Sequence, residues 1–419
     1  MEEKQQNRDK YYKFLIFTCV GLYVAMMALK QVYVAEINTI IRVFDTNKSN
    51  ASMMNTYYFI TYAITQFLLG FLMQKLNVKK FLLITVPLSI ITYVILALFI
   101  SEIRGMIWLF LLNGIAQAGV YACTRLTLGK YLPAKYTATA NMIYSLGQGL
   151  GFALSYGLCA ICVSLFSWRV PFLILSAVFG IMLVLYIISV KLAEKNCPLI
   201  VPQENEKATV QTKEEGLVKL KGRGSTVFFI VYWMIFTFAS LAVRYGVNNW
   251  LVSYLHEVFG FPESLSMAVT IVLEVMTMIG PIIGILVCKK RRNYISVMTV
   301  MYLVPLVIAA AMIFVFKVNI VLSMALLIVF EIFYTAGYAG MSVMSFDMRT
   351  SVNIGAFSAF TNTTGSIAAG VVPSIVGGII DRFGYHAQYM LIFGSMLVVV
   401  GMLIAYNIFF VNNKKSDRL

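Results

Sequence analysis

Long apolar stretches alternate with short polar ones along the whole chain. Twelve stretches of about 20 or more mostly apolar residues end in charged residues or in Pro, Gly or Asn. A helix needs roughly 20 residues to cross about 30 Å of hydrocarbon, so each stretch is predicted to be a membrane-spanning helix. The predicted spans are 12–40, 55–74, 81–100, 107–128, 141–166, 170–190, 227–255, 266–287, 294–316, 318–346, 355–380 and 389–410.

The longest polar connection lies near the middle of the chain, at residues 191–225. It is rich in charge and contains Pro198 and Pro202, a composition that favours a linker. The sequence therefore predicts an all-α polytopic membrane protein with two pseudo-symmetric six-helix halves, residues 1–190 and 226–419, joined by a cytoplasmic linker. Many secondary transporters have this plan, and their halves rock around a substrate site near the membrane midplane.

The composition excludes a water-soluble protein. Hydrophobic residues make up 60% of the chain and charged residues only 12%, against roughly 45–50% and about 25% in ordinary soluble domains. Membrane lipid is therefore the expected surrounding. The net charge of +15 does not indicate a nucleic-acid partner, because the Lys and Arg residues stand in short runs between apolar stretches.

The distribution of the basic residues predicts the orientation in the membrane. Of the 33 Lys and Arg residues, 24 lie in the two tails and in the connections after even-numbered spans, 6 lie in the other connections, and 3 lie inside spans. The excess of positive charge marks the cytoplasmic side. We therefore expect both termini in the cytoplasm and the protein in the plasma or inner membrane.

No cluster of residues typical of an enzyme or a metal site is found. The six cysteines lie in predicted spans or at their cytoplasmic ends, where no disulfide framework is expected. Cys159 and Cys162 form a CxxC inside a span, and packing is the favoured interpretation over metal binding. The chain is predicted to need no metal or cofactor and to be no enzyme.

Three cations lie inside predicted spans: Lys30, Arg125 and Arg244. Each costs roughly 2.5–3.5 kcal/mol at a helix centre, so each is expected to face a partner or a water-filled cavity. Lys30 lies roughly 6 Å and Arg244 about 5 Å outward from the middle of spans 1 and 7. Because those spans open the two halves, pseudo-twofold symmetry predicts the two charges on opposite walls of one cavity.

Such a pair of charges suits a small anionic substrate. An arginine offers a planar fork for two oxygens and a lysine a mobile point charge, which together can hold a carboxylate, sulfonate or phosphate. The alternative is that each cation neutralises a buried acid, for which Glu36, Glu274 and Glu331 are the candidates.

Two of these acids lie near the middles of spans 8 and 10. An acid at that depth is either a salt-bridge partner or a proton carrier. We favour pairing with Arg244 for Glu274. Glu331, for which the sequence offers no obvious partner, is the better proton-coupling candidate of the two. Arg125 and Gly129 form an Arg-x-x-x-Gly pattern near the cytoplasmic end of span 4, where a structural or gating pair is favoured over substrate binding.

Tyrosines recur at helical spacing in spans 2 and 10, among them Tyr62, Tyr334 and Tyr338. They are predicted either to line the cavity and hydrogen-bond a substrate or to pack between helices.

The most specific segment is Val243-Arg244-Tyr245-Gly246-Val247-Asn248-Asn249-Trp250, followed by Tyr254-Leu255. It resembles the Leu-Arg-Tyr-Gly…Trp…Tyr-Leu segment in helix 7 of the organophosphate:phosphate antiporter family of the major facilitator superfamily. The likeness runs along nearly the whole chain. It implies the major facilitator fold, and it implies that Arg244 contacts the substrate phosphate, since this arginine does so in that family.

The chain departs from that family at three positively charged or titratable positions. Leu29 and Lys30 stand where helix 1 of the family has adjacent Arg and Lys, Gln66 stands at the helix 2 lysine, and Gly147 stands near the helix 5 histidine. Lys30 and Arg244 therefore remain as two fixed charges for the substrate. A phosphate dianion fits them, and so does a carboxylate or sulfonate monoanion.

These observations predict a secondary transporter that exchanges an organophosphate for inorganic phosphate by alternating access. The alternative is proton-coupled symport of another organic anion, such as a carboxylate, sulfonate or sugar acid, and a lesser one is a transport-inactive substrate sensor. A monomer is expected. The predicted substrate contacts are Lys30, Tyr62, Gln66, Arg244, Tyr334 and Tyr338, and the predicted coupling or salt-bridge residues are Glu274, Glu331 and Arg125.

Overall fold

The computed structural model describes residues 2–72, 76–197, 223–291, 294–347 and 354–408, and every regular element in these ranges is a helix. The elements are α1 (Glu2–Ala35), α2 (Ile37–Val43), α3 (Lys48–Leu72), α4 (Val78–Phe99), α5 (Ile103–Gln117), α6 (Val120–Tyr131), α7 (Ala134–Leu165), α8 (Val170–Asn196), α9 (Arg223–Asn248), α10 (Leu251–Phe259), α11 (Glu263–Arg291), α12 (Tyr294–Val315), α13 (Ile320–Asp347) and α14 (Ile354–Tyr406).

The predicted all-α membrane fold is confirmed. In the described part of the chain, 10 helical segments are long and apolar enough to cross a membrane. The last of them, Phe360–Tyr406, holds two predicted spans, because α14 leaves helical geometry at Gly384 (φ 74°, ψ −177°). The second predicted span is α3, which is not among these ten because its hydroxyl, amide and tyrosine side chains make it more polar. Counted this way, the described helices account for all twelve spans.

Three predicted spans are divided into two helices. Span 1 is interrupted at Glu36 and span 7 at residues 249–250. Span 4 is interrupted at Ala118 and Gly119, between α5 and α6. A Cβ atom at Gly119 would lie 2.2 Å from the Phe81 ring, so a glycine is required for this close approach of two helices.

Capping residues set several helix ends. The Asn77 side chain accepts a hydrogen bond from the backbone N–H of Lys80 and begins α4. Gly260, at φ 70°, ends α10 in the left-handed conformation that favours glycine. Asn77 therefore marks where α4 begins, and Gly260 marks where α10 ends.

The chain divides into two compact units. Unit 1 comprises Met1–Thr39 and Ile60–Lys213. In its described part, α1 packs against α7 and α8, and α4 packs against α5 and α8. The buried Thr18 and Ser189 hydroxyls lie 2.6 Å apart, so α1 and α8 are also joined by a polar contact.

Unit 2 comprises Ile40–Phe59 and Glu214–Leu419. In it α9 packs against α14, and α13 packs against α11 and α12. Segment 40–59 is held by polar contacts: Lys48 Nζ lies 2.9 Å from Glu257 and 3.7 Å from Asp381, and the Thr56 hydroxyl donates a 2.7 Å hydrogen bond to the Gly370 carbonyl. The boundary between the units therefore falls inside α3.

The division into residues 1–190, a linker at 191–225, and residues 226–419 stays a prediction. The first residues of the predicted linker continue α8 to Asn196, and residues 198–222 lie outside the described part of the chain.

Large apolar side chains cover the outer surface of both units. Phe99, Trp108 and Phe314 are each more than two-thirds exposed. In water so many exposed apolar side chains would aggregate, whereas in a bilayer they contact lipid chains. The protein is therefore an integral membrane protein.

Candidate functional site

Arg244 lies in the last turn of α9, just before the break that separates α9 from α10. Two contacts with α14 hold this break in place. The fully buried Trp250 indole donates a 3.1 Å hydrogen bond to the Pro373 carbonyl, and the Gln388 amide donates a 2.7 Å hydrogen bond to the Gly246 carbonyl. The aromatic and glycine residues of the motif around Arg244 thus fix the helix end that carries it.

A buried hydroxyl cluster joins α9 to α12 and α13 one turn before Arg244. The Ser240 hydroxyl lies 2.9 Å from the Tyr302 hydroxyl and 3.2 Å from the Tyr334 hydroxyl. The Tyr334 hydroxyl also donates a 2.7 Å hydrogen bond to the Ser240 backbone carbonyl. Because all three side chains are fully buried, this cluster sets the register of the three helices.

The Arg244 side chain is half-buried. Within the described ranges, it has no carboxylate within 4.0 Å and donates no hydrogen bond to another residue. It does interact electrostatically with Glu274 on α11 and Glu331 on α13. Arg244 is therefore a charged group near two acids that keeps its hydrogen-bond donors available.

The two acids are deeply buried. Glu274 is 1% exposed and Glu331 is 0% exposed. Both carboxylate oxygens of Glu331, and the Oε2 oxygen of Glu274, are buried without a hydrogen-bond partner in the part of the chain that the structure describes. Each acid interacts electrostatically with Arg244, and Glu331 also with Glu274. A carboxyl group without donors in a buried place is stabilised by a proton or by a nearby cation.

Two further tyrosines of unit 2 lie near Arg244, Glu274 and Glu331 and are partly accessible. Tyr245 and Tyr338 are half-buried, and both interact electrostatically with Arg244. They provide phenolic hydroxyls that can donate to a ligand oxygen. The cluster therefore has a buried acidic side and an accessible side made of Arg244 and the two tyrosines.

In unit 1, the Lys30 ammonium lies 5.8 Å from the centre of the Phe152 ring, a cation–π contact between α1 and α7. Tyr62 is buried and Gln66 half-buried on α3. These residues belong to unit 1, and Arg244 with its acids belongs to unit 2.

Arg125 has neutral partners. Its guanidinium donates hydrogen bonds of 2.8 Å to the Tyr121 hydroxyl and 2.9 Å to the Asn141 side-chain oxygen. No carboxylate of the described residues lies within ion-pair distance of it.

Comparison with family models matches residues 14–373 to the model of the Major Facilitator Superfamily. The chain belongs to this superfamily. The superfamily and its fold point to a secondary transporter rather than an enzyme. A search of curated proteins gave no significant match.

Solved structures of the superfamily share the fold at low sequence identity. A bacterial homologue of the human lysosomal transporter Spinster, inward-facing and unoccupied, is 16% identical, with 94% of this chain and 95% of that chain covered and a TM-score of 0.70. The nucleoside transporter NupG is 14% identical, with 93% and 98% covered and a TM-score of 0.68. At this identity the likeness concerns the fold and not the substrate.

Of the predicted site residues, the structure brings together Arg244, Glu274, Glu331, Tyr334 and Tyr338, all in unit 2 of this superfamily member. Tyr334 is fully buried and serves the joint between α9 and α13, whereas Tyr338 remains accessible.

Sequence reasoning missed three residues of this cluster: Ser240, Tyr245 and Tyr302. Ser240 lies one helical turn from Arg244, and Tyr245 follows it in the motif, so their positions contained a signal. No such signal marked Tyr302, because its helix α12 contains no charged residue and no part of the motif around Arg244.

The described residues contain no group of three His, Cys, Asp or Glu side chains placed to bind a metal ion, and all six cysteines are buried and unpaired.

Proposed function

We propose that the chain is a proton-coupled secondary transporter of a small organic anion. The observation that carries the proposal is that two buried acids of unit 2, Glu274 and Glu331, both interact electrostatically with the same cation, Arg244. In this proposal Arg244 binds the anion and the acids bind the coupling proton.

The charge of the cluster supports proton coupling. With both acids ionised, Arg244 leaves one negative charge uncompensated in a place of low dielectric constant, which is unfavourable. One proton on either acid brings the cluster to zero charge. An anion bound to Arg244 adds negative charge again and therefore favours further protonation. Binding of the anion and binding of protons thus stabilise each other, which is the thermodynamic basis of symport.

The separation of Arg244 from the carboxylates supports its role in binding. Its donors are unused by the described residues, whereas a tight salt bridge to Glu274 or Glu331 would have occupied them. A guanidinium can bind two oxygens of a carboxylate, sulfonate or phosphate at once. Tyr245 and Tyr338 supply hydroxyl groups beside it. Lys30, Tyr62 and Gln66 are proposed as substrate contacts contributed by unit 1.

The charge of the cluster also favours a monoanion. Two buried acids oppose a phosphate dianion more strongly than a carboxylate or sulfonate. Exchange of an organophosphate for inorganic phosphate stays the second candidate, because the segment around Arg244 resembles helix 7 of the organophosphate antiporters. No contact among the described residues favours the third candidate, a transport-inactive substrate sensor. We propose that the protein acts as a monomer, with both termini in the cytoplasm.

Uptake into proteoliposomes tests the proposal. Purified protein is first screened by thermal shift against glucuronate, gluconate, methanesulfonate, glycerol 3-phosphate and inorganic phosphate, because a bound ligand raises apparent stability. Uptake of the stabilising anions is then measured with an acidic exterior. We expect accumulation that a protonophore abolishes. Uptake that needs phosphate inside the vesicles and ignores the pH gradient would replace symport by phosphate antiport.

A further inference from the structure

Arg125 is an exposed cation inside a membrane-spanning part of unit 1. It lies on α6, within the candidate span Ile103–Tyr131, and its side chain is exposed. A guanidinium exposed to hydrocarbon is strongly unfavourable. The surface that carries Arg125 therefore faces water rather than lipid chains.

The contacts of Arg125 orient the guanidinium without neutralising it. Its two hydrogen bonds go to the Tyr121 hydroxyl at 2.8 Å and the Asn141 side-chain oxygen at 2.9 Å. The guanidinium carbon also lies 5.6 Å from the centre of the Tyr121 ring and 5.8 Å from that of Tyr144. All of these partners are neutral, so the positive charge is held in place but remains uncompensated by the described residues.

The tyrosines that surround Arg125 are themselves packed together. The Tyr23 and Tyr144 rings are stacked with their centres 4.8 Å apart, and the Tyr121 ring packs edge-on against Tyr144 at 5.4 Å. The Tyr144 hydroxyl bonds to Thr124, the residue before Arg125. The guanidinium is therefore pre-organised by α1, α6 and α7, and a ligand would not have to order it.

The space beside Arg125 is open and polar. Gly129 lies one turn further along α6 on the same face, and a Cβ atom built there would meet no heavy atom within 4 Å. On α7, Asn141 and Ser145 are exposed and are also one turn apart. An oxyanion can approach through this opening, and the guanidinium carries more N–H donors than its two hydrogen bonds use.

We propose that Arg125 is an oxyanion-binding group, with Tyr121 and Asn141 as its positioning residues and Gly129 as the opening beside it. It binds a carboxylate, sulfonate or phosphate near the predicted cytoplasmic end of span 4 in unit 1, whereas the Arg244 cluster belongs to unit 2. This inference rests on the proposed transport of an anion, for which Arg125 is a further contact on the path. The structural or gating pair expected from the sequence stays a prediction, to which this proposal is the alternative.

A cysteine at Gly129 reports on the charge of Arg125 directly. The six native cysteines are buried, so the G129C thiol reacts selectively in protein held in phosphatidylcholine nanodiscs. We compare its rates with anionic sulfonatoethyl and cationic trimethylammonioethyl methanethiosulfonate. A nearby fixed cation favours the anionic reagent, and the ratio of the two rates should fall roughly fivefold or more in R125Q at low salt. R125K, which keeps the charge, should retain most of the preference.

Competition then tests binding of an oxyanion. Inorganic phosphate should slow the anionic reagent at G129C when Arg125 is present and should have no such effect in R125Q. Nanodiscs that contain phosphatidylglycerol distinguish the source of the anion. Loss of the preference in these discs, with no competition by phosphate in phosphatidylcholine, would assign the site to a lipid headgroup.

A rate ratio that R125Q leaves unchanged would overturn the proposal, and so would a G129C thiol that neither reagent modifies in folded protein. Size-exclusion chromatography of each variant establishes that it is folded. The labelling reaction needs no transport and no pH gradient. Failure of this inference is therefore distinguishable from failure of proton-coupled transport.

Discussion

The Tyr334 hydroxyl donates a 2.7 Å hydrogen bond to the backbone carbonyl of Ser240, one helical turn before Arg244. Tyr334 is also one turn after Glu331 on α13. A single buried contact thus connects the helix that carries the arginine to the helix that carries an acid. The distance between Arg244 and Glu331, and hence the strength of their electrostatic interaction, depends on this joint.

Replacing Tyr334 by phenylalanine keeps the buried ring and removes this joint. The lost hydrogen bond is worth about 1 kcal/mol, so we expect the variant to fold with a slightly lower melting temperature. Transport should fall several-fold, because α9 and α13 are no longer held in register. Uptake and thermal unfolding of the same preparation check both effects.

Tyr302→Phe is the matched control for that variant. The Tyr302 hydroxyl lies 2.9 Å from the Ser240 hydroxyl, whereas the Ser240 backbone carbonyl accepts its hydrogen bond from Tyr334, so that backbone hydrogen bond survives the change. A smaller loss of transport is expected. Equal losses of transport in the two variants would mean that the hydrogen bond from Tyr334 to the Ser240 carbonyl is no more important for transport than the Tyr302 contact.

Removing the charge of Arg244 should abolish transport. Arg244→Ala deletes the proposed anion ligand and leaves Glu274 and Glu331 without their cation, so uptake should fall at least about a hundredfold, the cost of a lost charged contact being about 3–5 kcal/mol. Arg244→Lys keeps the charge but not the planar fork, so it should retain residual uptake with weaker substrate affinity. Initial rates across substrate concentration separate the two. Normal uptake by the alanine variant would refute the site.

Glu331→Gln separates proton coupling from substrate binding. The amide keeps the shape of the side chain and cannot release a proton, so accumulation driven by a pH gradient should be lost. Exchange of labelled for unlabelled substrate at equal pH should continue, because exchange requires no net proton movement. Counterflow and gradient-driven uptake in the same vesicles give the measurement. Loss of both activities would assign Glu331 a structural role instead.

Glu274→Gln provides the comparison for Glu331. Only one carboxylate oxygen of Glu274, Oε2, is buried without a hydrogen-bond partner among the described residues, whereas both carboxylate oxygens of Glu331 are. We therefore expect the stronger effect on coupling from Glu331. The reverse order would identify Glu274 as the proton carrier.

The fold was predictable because each span must be apolar over about 20 residues to cross the lipid bilayer. An apolar stretch of about 20 residues has few alternatives to a membrane helix. The breaks within spans, at Glu36 and at Ala118–Gly119, were not predictable from the sequence. The break at Gly119 involves a tertiary contact, the approach of the Phe81 ring. Gly384 is one glycine among many, and its positive φ follows from the turn between two packed helices.

The charged residues of the candidate site were predictable from the sequence, but the neutral residues that contact them were not. Charged residues in an apolar helix are conspicuous, so Arg244, Glu274 and Glu331 stood out by depth alone. The position of Ser240 opposite Tyr302 depends on how α9 and α12 are rotated, which no periodicity in the apolar helix α12 reveals. The neutral partners of Arg125 were invisible for the same reason.

Gly119→Val should destabilise unit 1. A Cβ atom there would lie 2.2 Å from the Phe81 ring and 3.1 Å from Leu69, so the Phe81 side chain or its helix would have to shift. Overpacking of this kind costs about 1–3 kcal/mol, and thermal unfolding in detergent should show a lower transition. Gly129→Val is the matched control, because a Cβ atom at Gly129 meets nothing within 4 Å. Equal destabilisation of the two variants would contradict the close approach at Gly119.

Lys48 holds the start of α3 onto α10 and α14 by placing one ammonium between two carboxylates. Its Nζ atom lies 2.9 Å from Glu257 and 3.7 Å from Asp381, and the Asp381 carboxylate also accepts a 3.3 Å hydrogen bond from the Ser49 N–H. The Lys48 side chain is only 14% exposed, which limits screening by solvent.

Lys48→Ala should therefore loosen segment 40–59 of unit 2. Losing the cation removes two attractions and leaves Glu257 and Asp381 to repel each other, at a cost of about 1 kcal/mol for partly exposed groups. Hydrogen–deuterium exchange should become faster in the first turns of α3. Adding Asp381→Asn should restore part of the protection, because it removes the repulsion. Lys79→Ala breaks the 2.7 Å ion pair with Glu194 in unit 1 and should leave exchange in α3 unchanged. If it accelerates exchange there equally, the effect of Lys48 is not local.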